Sequence, residues 1–246
     1  QRIVFHQPLV VGDRVWRVSS IDEFRPGTRA GLIVVKNEYV RADGELVQTV
    51  WTSVAARSGG GVDPEISEAA ERVMVVTPTP AGPTVPADGP DVDGIRAPLL
   101  PHHVSDAVKR VDEWQVGQQL DPVTFTIRRG DLVRYSGVAG DPNPIHFSDY
   151  MAAKAGLETI VAQAMLSMGF GAGYVAEAVG DPAAVRELRA RFTSPIYLHH
   201  DAAAQVIFNG KVKSIDVESK QAEVALTPTS GGKRIFGRCT AIVDLR

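Results

Sequence analysis

Residues 161–180 read VAQAMLSMGFGAGYVAEAVG and carry one charge in twenty positions, Glu177. Such a helix has no polar face to give to solvent, so it must be enclosed on most sides. The chain after it reads only as strands: VRELRARFTSPI, AAQVIFNGKVKSID, QAEVALTPT and KRIFGRCTAIVDL. One enclosed helix succeeded by antiparallel strands predicts an α+β fold in which a sheet wraps around a long central helix.

The rest of the chain divides by composition. Residues 1–57 read as strands and turns, with a Gly12-Asp13 turn and a hairpin joining residues 31–41 to 46–55 at Asp43-Gly44. Residues 58–104 open on Gly59-Gly60-Gly61 and continue into dense prolines, Pro78 to Pro101. Prolines donate no ladder or helix bond, so this segment predicts a linker, with a short helical stretch at 65–73. Residues 105–246 form one compact domain, with VDEWQVGQQL and VTFTI strand-like and a helix over 129–138 ahead of the long one. The chain opens on Gln1 directly into strand-like sequence, which suggests a missing front.

Short strings recur in order. Phe5-x-x-Pro8-Leu9 matches Phe192-x-x-Pro195-Ile196, Ser20-Ile21-Asp22 matches Ser214-Ile215-Asp216, the turn at Asp43-Gly44 matches Gly231-Gly232, and Thr52 falls opposite Thr240. Either short β-rich strings coincide by chance, or two copies of one fold are present. On the second reading residues 1–57 are the rear half of copy one, whose central helix would precede Gln1.

Composition removes several classes. Lys+Arg 26 against Asp+Glu 29 gives a net charge of −3, which argues against a basic nucleic-acid binder. No apolar run is long enough to span a bilayer as a helix, and the opening residues do not read as a signal peptide. The single cysteine, Cys239, allows neither an internal disulfide nor a thiolate zinc cluster. A cytoplasmic protein without metal is the expectation, with Cys239 buried mid-strand and inert.

The chemistry-bearing string is Gly140-Asp141-Pro142-Asn143-Pro144-Ile145-His146. Two prolines fix φ, Asn143 favours a turn and Gly140 permits a left-handed backbone. The bland reading is a helix-ending turn with Asp141 as a cap and His146 incidental. The functional reading is a rigid loop that presents an acid and an imidazole to one substrate, enough to add or remove water beside a carbonyl.

The string resembles the hydratase motif of the MaoC-like, hotdog-fold family, which includes (R)-specific enoyl-CoA hydratases and (3R)-hydroxyacyl-ACP dehydratases. The resemblance continues through Gly173-Tyr174-Val175, Val179-Gly180-Asp181-Pro182, Arg191-Phe192-Thr193, 208–214 and 231–238. Those strings are most similar to catalytic subunits of the dehydratases of actinobacterial type II fatty-acid elongation, and residues 1–57 to the tail of their non-catalytic partner. The resemblance implies a double hotdog: 1–57 the C-terminal part of a non-catalytic hotdog, 58–104 a linker, and 105–246 the catalytic hotdog. It implies that Asp141 and His146 are the catalytic pair, that the Ala164 backbone N–H meets the thioester oxygen, and that Asn143, Gln163 and Met165 contact substrate. The implied reaction is dehydration of (3R)-3-hydroxyacyl thioesters to trans-2-enoyl thioesters without cofactor. The substrate is carried by acyl carrier protein or CoA, and the architecture allows a homodimer. The alternatives are an (R)-specific enoyl-CoA hydratase and a non-catalytic acyl-thioester-binding subunit. The family usually has Ala-His-Gly-Met where this chain has Ala162-Gln163-Ala164-Met165; Gln163 carries no proton at neutral pH, and Ala164 adds a methyl beside the thioester.

Weaker features have bland readings. Gly169-x-Gly171-x-Gly173 predicts close helix-on-sheet packing rather than a dinucleotide site. Met165 and Met168 read as core or tunnel wall rather than a cofactor box. His102-His103 and His199-His200 read as solvated surface, with neither cysteine nor acid partners at metal spacing. Arg186, Arg189 and Arg191 alternate along one strand, either as a soluble face or as contacts for phosphates or an acidic carrier.

Overall fold

In the computed structural model, residues 1–10, 12–27, 30–57, 63–73 and 107–246 are described. The first part contains β1 (Arg2–Phe5), β2 (Val15–Arg25), β3 (Ala30–Arg41), β4 (Leu46–Arg57) and helix α1 (Pro64–Val73). The second contains β5 (Gln119–Ile127), α2 (Arg129–Ala139), α3 (Asp149–Lys154), α4 (Ala164–Val179), β6 (Val185–Phe192), β7 (Ala204–Asp216), β8 (Gln221–Leu226), β9 (Thr229–Ser230), β10 (Lys233–Arg234) and β11 (Phe236–Asp244). The hairpin lies where Asp43-Gly44 predicts it, with Gly44 left-handed at φ 88°. The helix at 64–73 lies within the predicted linker; residues 74–104 of that linker and His102-His103 fall outside the described residues.

All strands join one antiparallel sheet in the order β10-β9-β7-β8-β11-β6-β1-β4-β3-β2, with β5 also on β7. The order is symmetric about the β6–β1 seam. Outward from it, β6, β11, β8 and β7 on one side answer β1, β4, β3 and β2 on the other. The strings matched in the sequence fall on these equivalent strands. Phe5 and Phe192 end β1 and β6, Ser20-Ile21-Asp22 lies in β2 and Ser214-Ile215-Asp216 in β7, and Thr52 and Thr240 lie in β4 and β11. At the seam Arg2, Ile3 and Val4 pair with Arg189, Leu188 and Glu187.

The wrapped helix is α4. Its Met168, Tyr174, Val175 and Val179 pack with Leu188 of β6, Phe208 of β7, Val224 of β8 and Ala241 of β11 in one core. The alternation buried–half-buried along β8 is the period-2 signature of a sheet with one face inward. Phe125 stacks on Phe170 with centroids 4.7 Å apart and meets Phe208 edge-on at 5.7 Å, tying β5 to the helix and to β7.

The helix is enclosed on most sides, with one exposed stripe of Met165, Gly169, Gly173 and Glu177, each four residues on. Two details depart from the sequence expectations. Among the three spaced glycines only Gly171 packs closely, since a Cβ there would stand 3.1 Å from the Phe208 ring, whereas Gly169 and Gly173 face open space. VDEWQVGQQL is largely not a strand: Val111–Glu113 is a 3-10 turn and Gly117 is left-handed at φ 92°, so β5 begins only at Gln119. In the N-terminal strands Ile21 and Phe24 of β2 are 64% and 62% exposed.

Candidate active site

Helix α2 delivers the loop. It ends at Ala139, and Gly140 takes a left-handed turn at φ 63° with its N–H on the Ser136 carbonyl. The loop then bonds to itself: Asp141 Oδ1 accepts from the Asn143 N–H at 3.1 Å, and Asn143 Oδ1 accepts from the Ile145 N–H at 3.3 Å. Pro144 starts the 3-10 turn Pro144–His146, which sets the imidazole inward, 7% exposed. Ser148 closes the segment by capping α3.

His146 is held at one nitrogen. Nδ1 lies 2.7 Å from the Val161 carbonyl oxygen, which can only accept, so Nδ1 carries the hydrogen. In the neutral ring Nε2 is therefore a free base, and it stands 3.5 Å from Asp141 Oδ2. Val161 is itself fixed, its N–H on the Ile145 carbonyl at 3.2 Å. The ring and its anchor thus move together. Tyr135, on the last turns of α2, has its phenol held above the usual range by burial first and then by the Asp141 charge.

Helix α4 starts on the same spot. A cavity of about 410 Å³ is lined by Asp141, Ile145, His146, Gln163, Ala164, Met165 and the β6–β11 residues Phe192 and Phe236. Ala164 is the first helical residue, so its N–H has no partner within the helix and lies at the positive end of the macrodipole. Gln163, 1% exposed, anchors the helix start: Nε2 donates to the Leu132 carbonyl at 3.1 Å and to Ser136 Oγ at 2.9 Å. Its Oε1 is buried without a protein partner.

Of the residues expected at the site, Asp141, His146, Gln163, Ala164 and Met165 converge on one cavity. Asn143 is not among the residues lining it; its Oδ1 accepts from the Ile145 N–H within the loop. Met168 is 1% exposed and belongs to the core. Cys239 is buried, and burial pushes its thiol up to about 12.

A clamp beside the loop escapes sequence reasoning. Arg129 bonds Asp149 in a two-pronged fork, at 2.6 and 2.9 Å, and also reaches Thr159 Oγ1 and the Leu198 carbonyl. Arg129 first, then Thr159, hold the Asp149 carboxyl well below the usual carboxylate range. No local spacing signals three residues brought together from 129, 149 and 159. Beside the same clamp both rings of His199-His200 are exposed, with His200 Nε2 at 3.2 Å from Asp149 Oδ2 and His199 3.8 Å from Glu158.

A family model described as MaoC like domain matches residues 112–230. A UPF0336 protein of Mycobacterium leprae is 37% identical over 59 residues, 24% of this chain and 36% of that protein, so the chain spans little more than a third of this curated relative. A solved structure titled MaoC-like dehydratase superposes with TM-score 0.84 at 31% identity, covering 100% of this chain and 74% of that one. The R-hydratase PhaJ1 from Pseudomonas aeruginosa shares the fold, with TM-score 0.50 and 23% identity over 56% of this chain and 87% of its own. Among the described residues no helix is long and apolar enough to cross a membrane. Full-length coverage at this identity, together with the family match around the loop and α4, shows that the chain belongs to the MaoC-like dehydratase family of hotdog-fold proteins.

Proposed function

We propose that the protein is a hydro-lyase that interconverts (3R)-3-hydroxyacyl and trans-2-enoyl thioesters, with the acyl group on acyl carrier protein in fatty-acid elongation. The observation that carries this reading is the convergence of His146 Nε2, the Asp141 carboxylate and the free Ala164 N–H on one cavity. In the hydration direction a water donates one O–H to His146 Nε2 and the other to Asp141. Its oxygen attacks C3, the thioester oxygen gains negative charge against the Ala164 N–H, and a proton returns to C2. In dehydration the proton leaves C2 first to the same pair, and the hydroxyl leaves C3 as water. General acid–base help of this kind is worth about 10²–10⁴-fold, and an oxyanion donor a comparable factor. The unpaired Gln163 Oε1 is a further acceptor for the water or the substrate hydroxyl, a role within reach of an amide that needs no proton transfer.

The wider assembly is part of the same proposal. Residues 105–246 are the catalytic hotdog, 1–57 the rear of a non-catalytic one, and 58–104 the linker. The strand order mirrored about the β6–β1 seam supports the double-hotdog reading. Asp141→Asn and His146→Ala variants, followed by the ultraviolet absorbance of an enoyl thioester, test the reaction. Losses of at least about a hundredfold support it; rates equal to wild type in both variants end it.

A further inference from the structure

The loop that carries Asp141 and His146 runs from the end of α2 to the start of α3. The Arg129 clamp closes its base, since Arg129 opens α2 and its fork partner Asp149 opens α3. The other bonds of the clamp reach further. Arg129 Nη2 donates to Thr159 Oγ1 at 2.8 Å, and Thr159 Oγ1 donates to Asp149 Oδ1 at 2.6 Å. Thr159 is buried, so its hydroxyl must find its partners within the protein. The guanidinium also donates to the Leu198 carbonyl, from Nε at 3.1 Å and from Nη2 at 2.8 Å. One planar cation thus serves acceptors from three separate parts of the chain, a geometry that a lysine ammonium does not reproduce.

The segment 159–163 connects this clamp to the imidazole. Its front is tied to the start of α2 through Thr159. Its end is tied to the same helix through Gln163, on the Leu132 carbonyl and Ser136 Oγ. Between the two ties, the Leu198 N–H donates to the Ile160 carbonyl and the Ala162 N–H to the Ile196 carbonyl, both at 2.9 Å, around a β-bridge of Val161 with Tyr197. Arg129 holds the Leu198 carbonyl as well as Thr159, so the clamp fixes both sides of that bridge. The Val161 carbonyl, which takes the hydrogen of His146 Nδ1 at 2.7 Å, lies at the middle of the doubly tied segment, two residues from Thr159.

We propose that Arg129 and Thr159 are positioning residues for His146: they hold the Val161 carbonyl where it commits the ring hydrogen to Nδ1 and leaves Nε2 as the base. The effect on turnover rests on the hydro-lyase reading, whereas the effect on the ring does not. Neither residue is among those lining the catalytic cavity, so loosening the clamp acts on kcat and leaves KM nearly alone.

The test pairs two readouts on the wild type, Thr159→Val, Thr159→Ser and Arg129→Lys. The first is kcat and KM for hydration of crotonyl-CoA. The second is nitrogen NMR of the neutral His146 ring in histidine-labelled protein, its signals identified by their loss in His146→Ala. The wild type should carry the ring hydrogen on Nδ1. Thr159→Val keeps the side-chain shape and removes the hydroxyl; it should share the hydrogen between Nδ1 and Nε2 and lower kcat about tenfold, with KM within about twofold. Thr159→Ser should restore both values. Arg129→Lys, which keeps the charge but loses the fork, should repeat both changes; wild-type values in it overturn the role of Arg129. In Thr159→Val the two readouts must move together. A lower melting temperature with neither moved, or either one moved alone, overturns the inference, as does an equal loss in Thr159→Ser. Absence of turnover by the wild type counts against the hydro-lyase reading alone. The ring hydrogen then decides: sharing in Thr159→Val supports the positioning role, and an unchanged Nδ1–H overturns it.

Discussion

One carbonyl decides the chemistry of His146. Because Val161 can only accept, the ring's hydrogen is committed to Nδ1 and its lone pair to the cavity. The sequence shows the imidazole and the carboxylate but not this choice, since Val161 is fifteen positions away and carries no polar side chain. Gln163 is similar: its type is plain in the sequence, but its work is holding the start of α4 to α2. Gln163→Ala removes both bonds and leaves space behind, and should cost about 1–3 kcal/mol in denaturant unfolding. Asp149 gives a pH prediction. Its folded carboxyl titrates below the ordinary range because Arg129 and Thr159 favour the charged form, so it contributes stability above the unfolded value near 3.9 and loses it as pH falls from about 5 downward. Urea midpoints measured from pH 7 to pH 3 should fall more steeply for the wild type than for Asp149→Asn.

At the scale of elements, the sequence is most legible where backbone chemistry is local. The hairpin at Asp43-Gly44, the helix end at Gly140 and the two-glycine turn before Lys233 all follow from residues that tolerate a left-handed backbone. It is least legible where partners are remote. The three glycines of α4 look alike in sequence, yet only Gly171 meets the sheet, against Phe208. Gly171→Ala should therefore lower the melting temperature, while Gly169→Ala and Gly173→Ala should leave it unchanged or raise it, by up to about 1 kcal/mol each through helix propensity. Gly180 combines both demands, with φ 98° and the Ala107 carbonyl 2.2 Å from where a Cβ would stand. Gly180→Ala should destabilise more than Gly140→Ala, whose Cβ would meet nothing and whose cost is the left-handed backbone alone, about 1–2 kcal/mol. Thermal denaturation of the five variants ranks them.

For the whole molecule, the β6–β1 seam is where the two mirrored groups of strands meet. Three residue pairs, two hydrogen bonds between Gln1 and Ala190 and the Arg2–Glu187 ion pair at 2.8 Å link groups of strands that are otherwise paired internally. Ile3 sits there opposite Leu188, packed against the main core. Ile3→Lys should uncouple the halves, splitting one calorimetric transition into two; a single transition with unchanged enthalpy would show that the join lies elsewhere. The repeated strings announce this symmetry in the sequence, whereas the exposed apolar face of β2 has no signal there, because alternation says which residues share a face and not what covers it.

The central claim is that Asp141 and His146 act on one water. A double-mutant cycle on hydration of a crotonyl thioester tests it most directly, using Asp141→Asn, His146→Ala and the two combined. Residues that act as a unit are non-additive, so the double variant should be scarcely slower than the worse single one. Losses that multiply, or a double variant as fast as the wild type, would contradict it.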